Sequence, residues 1–434
     1  MDGDGKPDFV ITNSGNSTVS VFRNISVSGS ISASSFAPGV EFTTGFMGQD
    51  YGGWLALGDL DGDGKLDIVT TNPASSSISI FRNTSAVGSI TTSSFAAKVD
   101  FPVPNPALPI IGDIDGDGRP EIIIPNRPPN DDGKVSVFKN LCTPGSITSL
   151  SFSPKTDFIT GTDPFSASIG DLDSDGKPDL IVTNYTSNTV SVFKNTSVIG
   201  TIDVNSFSAK IDFPTGGNPS GSSIGDLDQD GKPELIVTNR TSASVSVFKN
   251  NSTGGSIGTV SFATRVDLPT SLDPWRVSLG DMDGDGKSDL IIANSSGGTV
   301  NVIRNQSSAG SISGNSFAPK FDLAAGALPY QPAIGDMDGD GKPDILAVNA
   351  ASNSVSVFRN AIAGGGLNFV SSISTGAGGT PLKGLSEVRV AGNYAFAVSY
   401  YNTSFEVFNV ANPAQPVHVA VLRNGDGGAV LSGP

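Results

Sequence analysis

The chain of 434 residues contains one cysteine, Cys142, and one histidine, His418. A single cysteine excludes an intramolecular disulfide, so any stapling must come from packing or metal, and Cys142 is expected as a buried structural thiol. A single histidine excludes His-ligated zinc sites and most Ser-His or Cys-His catalysis, and His418 is expected at the surface. Charged residues make up only 16 % of the chain with no basic cluster, which argues against nucleic-acid binding. No apolar run approaches the roughly 18 residues needed to cross a bilayer, so membrane insertion is not expected.

What the sequence has in abundance is Gly, Ser, Asn and Thr interleaved with Val, Ile and Phe. That mixture suits short strands and tight turns rather than long helices. It is also periodic. The run D-L-D-G-D-G-K-L-D at Asp59–Asp67 recurs from Asp113, Asp171, Asp226, Asp281 and Asp336, at separations of 54, 58, 55, 55 and 55 residues. Asp2, Asp4 and Asp8 form a seventh, clipped copy in which Met1 holds the place of Leu60, Leu172 and Met282. The natural N-terminus is therefore expected upstream, and the lack of a signal peptide carries no information.

Each motif is followed by an apolar run ending in Asn, such as Leu180–Asn184, and then by an alternating run such as Val190–Asn195. Both read as strands. A third strand is expected around Ser206–Phe213, and a fourth at Ser222–Gly225, leading into the next motif. Four short strands make one propeller blade, and blades must stack about an axis to bury their apolar faces. The expectation is an all-β fold: a seven-bladed β-propeller over residues 1–373, with each Asp loop between strands one and two. An open β-solenoid is the structural alternative, though its coils are usually much shorter than this repeat. Glycine-rich stretches then suggest a linker at 374–380. Alternating runs at Val388–Val398 and Phe405–Pro413 suggest the truncated start of a second β-rich domain over 381–434.

The motif sets acids at positions 1, 3, 5 and 9 around a Gly at position 6, a spacing that aims oxygens at one centre. Calcium takes six to eight hard oxygen ligands at flexible angles, whereas magnesium demands a rigid octahedron, so calcium is expected, about one ion per blade. The predicted ligands of the second blade are the carboxylates of Asp59, Asp61, Asp63 and Asp67 with the backbone carbonyl of Lys65. The third blade offers Asp113, Asp115, Asp117, Arg119 and Glu121, and the fourth Asp171, Asp173, Asp175, Lys177 and Asp179. The fifth offers Asp226, Asp228, Asp230, Lys232 and Glu234, and the sixth Asp281, Asp283, Asp285, Lys287 and Asp289. The seventh offers Asp336, Asp338, Asp340, Lys342 and Asp344, and the first only Asp2, Asp4 and Asp8. The likeness to an EF-hand loop stops at position 9, because position 12 is Thr70, Val182 or Val237 rather than Glu. Simple hairpin turns would not need an acid at position 9 each time. These loops hold 27 of the 42 acidic residues, and seven divalent ions would bring the formal −16 to about −2. Extracellular calcium modules bind at roughly 10⁻⁴ to 10⁻³ M, so millimolar calcium adds up to about 1.4 kcal/mol per site. Calcium-dependent folding suits an extracellular, secreted or cell-surface setting.

The Asp loops, with Asp179–Asn184 (D-L-I-V-T-N) and Val190–Asn195 (V-S-V-F-K-N), resemble the FG-GAP (VCBS-type) repeats of integrin α-subunit propellers and many secreted bacterial proteins. The resemblance covers residues 1 to about 373 and implies a calcium-bound propeller of seven blades. The departures are Glu121 and Glu234 at position 9, expected to weaken those sites without abolishing them. From about Pro381, Val388–Tyr394 and Val410–Pro413 look like about one LVIVD repeat, another propeller-forming unit of surface proteins. Together the two resemblances suggest a piece of a larger surface or secreted protein.

Loop lengths point to one working face. The Asn ending the strand after each motif precedes the next strand's landmark by nine residues in six blades, but by twelve from Asn126 to Phe138. The later Phe precedes the next motif by 18 or 19 residues in most blades, but by 23 from Phe36 to Asp59. Both insertions fall opposite the Asp loops, where insertions often mark binding surfaces. They carry Phe46, Asp50, Tyr51 and Trp54, and Arg127, Asn130, Asp131 and Asp132; Phe165, Trp275 and Tyr330 sit in the same class of loop. Such aromatics stack on sugars or anchor a protein partner, or else plug gaps between blades. The Asn-x-Ser/Thr sequons at Asn83, Asn195 and Asn305 read as turn residues rather than glycan sites.

The leading functional expectation is a non-enzymatic adhesion or binding module for a surface protein or polysaccharide. It rests on the absence of a convergent catalytic set. A calcium-dependent, lyase-like polysaccharide enzyme and a structural spacer are the alternatives.

Overall fold

The computed structural model describes residues 1–6, 8–13, 16–25, 37–48, 53–129, 133–336, 340–352, 354–360, 367–373, 385–391, 393–399, 404–412 and 416–423. The expected linker at 374–380 lies outside them. The described residues form eight antiparallel sheets, the first three-stranded and the other seven four-stranded, each with its strands in chain order. This is an all-β, β-propeller fold of eight blades, so the expected count of seven is corrected.

Blade four shows the plan. Its strands are Pro164–Gly170, Asp179–Asn184, Thr189–Phe193 and Ile211–Pro214. The second and third pair from Leu180 opposite Phe193 to Asn184 opposite Thr189. The Asp loop connects strands one and two, as expected. Strand boundaries differ at two places. Ser222–Gly225, expected as the strand leading into the next motif, is the end of a longer strand, Pro219–Gly225, that opens blade five. The expected third strand at 206–213 is divided: Phe207 makes an isolated bridge with Asn195, and only Ile211–Pro214 joins the sheet.

The recurring phenylalanines now have separate tasks. The Phe of one blade's fourth strand wedges edge-on between two of the next blade. Phe101 lies 5.9 Å from Phe138 and 5.6 Å from Phe152, and Phe158 lies 6.4 Å from Phe193 and 5.0 Å from Phe207. Phe42 repeats the arrangement with Phe81 and Phe95. Edge-to-face contact suits the ring quadrupole and keys each blade to its neighbour.

A second key is the glycine that precedes each motif. A Cβ on Gly112 would stand 2.2 Å from Cδ1 of Ile169 in the next blade, and one on Gly280 3.1 Å from Ile334. A bare backbone there lets first strands approach closely.

The chain divides into two compact units, Met1–Asn24, Gly39–Ser222 and Ser252–Ser261, and Ile25–Pro38, Ser223–Asn251 and Phe262–Pro434. In the first, blades two and three share a core of Leu60, Val69, Ile80, Ile122, Phe138 and Phe152 that also takes in Cys142. Burial pushes the Cys142 thiol up to about 11, so it is inert. In the second unit, the region expected to begin a second domain supplies blade eight: Leu385–Ala391, Tyr394–Ser399, Ser404–Asn409 and Val417–Arg423. Val388, Ala397, Phe408 and Val410 share one core with Leu346, Val348, Val355 and Val357 of blade seven. A Cβ on Gly335 would stand 3.2 Å from Val390, which continues the glycine series. Motif counting misses this blade because a tight connection, with Ala391 opposite Tyr394, replaces the Asp loop. His418 is also corrected: it is 6 % exposed, and its Nε2 sits 2.6 Å from Oε2 of buried Glu406.

The shared core predicts the outcome of Phe408→Ala. Large-to-small changes in cores cost about 3–5 kcal/mol, and here the loss is expected in the transition that also unfolds blade seven. A separate low-temperature transition for blade eight, with the rest unchanged, would mean an independent domain.

Candidate metal loops and the opposite end

The geometry of each loop follows from its glycines. Gly64, Gly118, Gly176, Gly231, Gly286 and Gly341 at position 6 all have φ of 84–85°. This left-handed backbone, open to glycine at no steric cost, turns the position-6 N–H onto the position-1 carboxylate: Gly176 donates to Asp171 Oδ2 at 2.9 Å, and Gly64 to Asp59 Oδ2 at 2.9 Å. The position-7 N–H donates to the position-5 carboxylate, as from Lys177 to Asp175 at 3.0 Å.

The loops gather carboxylate oxygens within 4.8 Å of one another. The groups are Asp59, Asp61 and Asp67; Asp113, Asp115 and Glu121; Asp171, Asp173 and Asp179; Asp226, Asp228 and Asp230; and Asp281, Asp283 and Asp285. The structure thus joins positions 1, 3 and 9 in blades two to four, and 1, 3 and 5 in blades five and six. Asp338 lies outside the described residues. Lys65, Arg119, Lys177, Lys232, Lys287 and Lys342 meet their loops through the N–H bond to position 5.

These residues fit a hard divalent cation by two observations. The donor set is oxygen throughout. Oδ1 of Asp173 and Oδ1 of Asp228 are buried with no hydrogen-bond partner, although both side chains are only 1 % exposed. A buried, unpaired carboxylate oxygen is costly unless a cation meets it.

Position 9 has a further task. Asp179 Oδ2 accepts the Leu172 N–H at 2.9 Å, and its Oδ1 accepts the Asn195 N–H at 2.8 Å. Asp67 does the same with Leu60 and Asn83. Glu121 and Glu234 keep both partners, with longer contacts of 3.3 and 3.4 Å to Asn140 and Asn250. In the clipped first loop, Asp8 accepts from Asp2 and Asn24. Burial pushes the carboxyls of Asp67, Glu121, Asp179 and Glu234 up to about 7, and that of Asp289 to about 6. Asp117 differs: its hydrogen bond from Arg119 holds it down at about 2.

Sequence reading missed the second role of the asparagine that receives this loop. Asn195 Nδ2 donates to the Ile114 carbonyl of the previous blade's loop at 2.7 Å and to the Pro178 carbonyl of its own at 2.9 Å. Asn140 stitches Leu60 to Pro120, Asn305 stitches Leu227 to Ser288, and Asn360 stitches Met282 to Pro343. The serine two residues on completes the motif. Ser197 N–H donates to Asn195 Oδ1 at 2.9 Å, and its hydroxyl donates to Ile114 at 3.1 Å. The Asn-x-Ser pattern at Asn83, Asn195 and Asn305 is therefore an inter-blade stitch, with side chains buried away from any glycosylation machinery.

At the other end of the strands, predicted ligand-face residues meet in pairs. Arg127 reaches Asp163 at 2.9 Å and lies 4.7 Å over the Phe165 ring, which stacks on Tyr185. Arg240, not singled out in the sequence, repeats this with Asp273 and lies 4.2 Å over Trp275, whose edge meets Tyr330. Both sets clamp one strand end to the next, as gap-filling aromatics would. Trp54 instead lines a shallow recess with Pro73, Asn105, Pro106, Arg127 and Pro128. Nearby, the carbonyl of Phe46 accepts the Ser75 N–H, and the Phe46 side chain is 61 % exposed. Tyr51, Asp50, Asn130, Asp131 and Asp132 lie outside the described residues.

A β-propeller that repeats an acid-rich loop between strands one and two in blade after blade defines the class. The FG-GAP-like repeat model matches residues 1–70, 59–124, 113–182, 171–237, 226–292 and 281–347, and the chain belongs to this family. No curated protein matches it. Among solved structures, the dihydro-heme d1 dehydrogenase NirN is similar at 13 % identity, with 96 % of this chain and 73 % of that one covered and a TM-score of 0.56. Apo AztD from Citrobacter koseri is similar at 10 % identity, with 98 % and 96 % covered and a TM-score of 0.53. A putative 6-phosphogluconolactonase from Bacteroides fragilis is similar at 16 % identity, with 86 % and 94 % covered and a TM-score of 0.50. These likenesses show the fold alone. Among the described residues, no helix is long and apolar enough to cross a membrane.

The carboxylates and their partners set two expected outcomes. Without metal, the native state holds the protons of Asp67, Glu121, Asp179 and Glu234 at pH 5–6, whereas unfolded carboxyls, titrating near 4, do not. Stability in chelator should therefore fall as pH rises from about 4 to about 7, and urea titrations at pH 5 and pH 7.5 check the sign. Asp117, with its lowered value, acts only at more acid pH. Independently, Asn195→Ala should cost about 1–3 kcal/mol by removing the donor shared by the Ile114 and Pro178 carbonyls, of which only Ile114 keeps a partner in Ser197, and a neutral result in the same titration would mean that the stitch does not hold the blades.

Proposed function

We propose that the chain is a calcium-binding, extracellular, non-enzymatic module. It binds calcium through its Asp loops and a surface protein or polysaccharide through the end opposite them. The observation that carries the metal half is the pair of buried, unpartnered oxygens of Asp173 and Asp228 inside all-oxygen clusters. Flexible loops with acids at 1, 3, 5 and 9 favour calcium over magnesium, whose octahedral shell tolerates less variation. In that role Asp59, Asp113, Asp171, Asp226, Asp281 and Asp336 would hold the ion with their partners at position 3 and at position 9 or 5. Position 9 would also keep the loop closed around it. Millimolar extracellular calcium would fill sites of the affinity usual for such modules, which supports the extracellular setting.

The ligand half rests on the recess at Trp54. Phe165, Trp275 and Tyr330 are engaged in strand-to-strand clamps, whereas Trp54 faces a recess bounded by prolines, Asn105 and Arg127, with exposed Phe46 nearby. A flat ring beside amide and guanidinium donors suits a sugar face or a protein anchor. Such a face needs no metal of its own; calcium would act on it only by holding the blades.

A panel of polysaccharides and surface-protein extracts, scored in calcium for retention and for released products, tests this reading. Retention that Trp54→Ala reduces at least tenfold is the expected result. Released products would make the protein an enzyme, and no retention by any ligand would favour a spacer.

A further inference from the structure

A recurring basic residue follows the last aromatic or aliphatic residue of strand three, and the Asp-loop pattern does not account for it. Lys139, Lys194 and Lys249 hold this place in blades three to five, and Arg23, Arg82, Arg304 and Arg359 in the other blades with Asp loops. Each side chain turns back onto its own loop. Lys194 Nζ lies 2.5 Å from Oδ2 of both Asp173 and Asp175. Lys249 lies 2.5 Å from Asp228 Oδ2 and 3.0 Å from Asp230 Oδ2, and Lys139 lies 2.5 and 3.2 Å from Asp115 and Asp117. Arg82 pairs with Asp61 and Asp63 in the same way.

The choice of oxygen is informative. The ammonium takes Oδ2 of Asp173 and of Asp228, and Oδ1 of the same two carboxylates is the buried atom with no partner. One carboxylate thus presents one oxygen to a tethered cation and keeps the other for something else. From this we propose that the basic residue after strand three is an internal counter-cation: it offsets the loop's charge repulsion when metal is absent and opposes the metal when it is bound. The inference rests on the Asp loops being calcium sites.

The physics gives the sign. A loop with three carboxylates within 4.8 Å of one another is under strong like-charge repulsion, and an ammonium on one of them and a neighbouring acid relieves part of it. A divalent ion at the free oxygens must then sit near a fixed positive charge. At a spacing on the order of 5 Å in a water-like dielectric, that repulsion lowers affinity by about tenfold. The loops should also differ. In blade three, Arg119 at position 7 adds a second cation on Asp117, with Nη2 2.6 Å from Oδ2 and Nε 3.3 Å from Oδ1. In blade six the tether is slack, with Arg304 reaching Asp283 only at 3.3 Å. Blade three is therefore the loop expected to hold calcium least tightly.

The test compares the full wild-type chain with Lys194→Met, with the combined Lys139→Met, Lys194→Met and Lys249→Met variant, and with Lys194→Arg as control. Radioactive calcium in equilibrium dialysis reads affinity, and thermal melts in chelator read the metal-free state. The inference predicts about three sites filling at roughly tenfold lower calcium in the combined variant, and one in Lys194→Met. It also predicts a lower melting point in chelator that millimolar calcium restores, with Lys194→Arg close to wild type. Failure of the combined variant to fold in chelator, rescued by calcium, supports the same conclusion. Unchanged or weaker calcium binding in Lys194→Met would overturn the counter-cation while leaving the calcium sites standing. No calcium uptake by the wild type would overturn both.

Discussion

The last acid of each Asp loop is the point on which the blade depends. Asp179 is fully buried, and its two oxygens bind the N–H of Leu172 inside the loop and the N–H of Asn195 at the end of strand three. One carboxylate therefore closes the loop and fixes where the third strand ends. The residue at position 2 extends the chain of dependence: the N–H of Ile114 serves Glu121, and its carbonyl accepts Asn195 and Ser197 from the next blade. Loop closure and blade-to-blade registration thus meet at one residue. Burying that carboxylate is unfavourable in isolation, as its raised proton affinity records. The fold must therefore supply compensation nearby.

Compensation is concentrated at the loop end. Backbone N–H groups from positions 6 and 7, a tethered Lys or Arg, and the sites suited to a divalent cation all address acids of the same loop. The far ends of the strands use a different set of contacts. There, arginine over an aromatic ring and paired with Asp163 or Asp273 ties one strand end to the next. Between the ends runs a further polar chain, in which the Asn at the close of strand two binds a serine of strand three, and that serine binds an aspartate of strand four. Asn184, Ser191 and Asp212 are one example, with contacts of 2.8 and 2.6 Å. A blade is therefore held by apolar faces and by a hydrogen-bonded line across its sheet.

Much of this is legible in the sequence because the repeat is strict. Acid spacing, the glycine at position 6 and the alternating strands define the blade, its loop and the residues that cluster in blades two to six. The count fails at blade eight, where a tight turn replaces the loop and the only signal is alternation that ends on a core shared with Leu346 and Val357. The division of labour among phenylalanines is also hidden, since Phe207 and Phe213 look alike in sequence but one bridges Asn195 and the other joins a sheet. Asn-x-Ser reads locally as turn chemistry, and its reach to the neighbouring blade is a long-range contact that no local pattern encodes. Among the ligand-face residues, Trp54 groups in sequence with Phe165, Trp275 and Tyr330, because distance from the motif cannot distinguish a ring in a recess from a ring in a clamp.

The central claim is that the acid loops are metal sites on which the blades depend. A thermal melt of the full chain in millimolar calcium and again in chelator tests it most directly. The account predicts a melting point lower by tens of degrees in chelator, restored when calcium is returned. An unchanged melting point, with no calcium bound to the protein, would contradict it and leave the Asp loops as turns closed by their own hydrogen bonds.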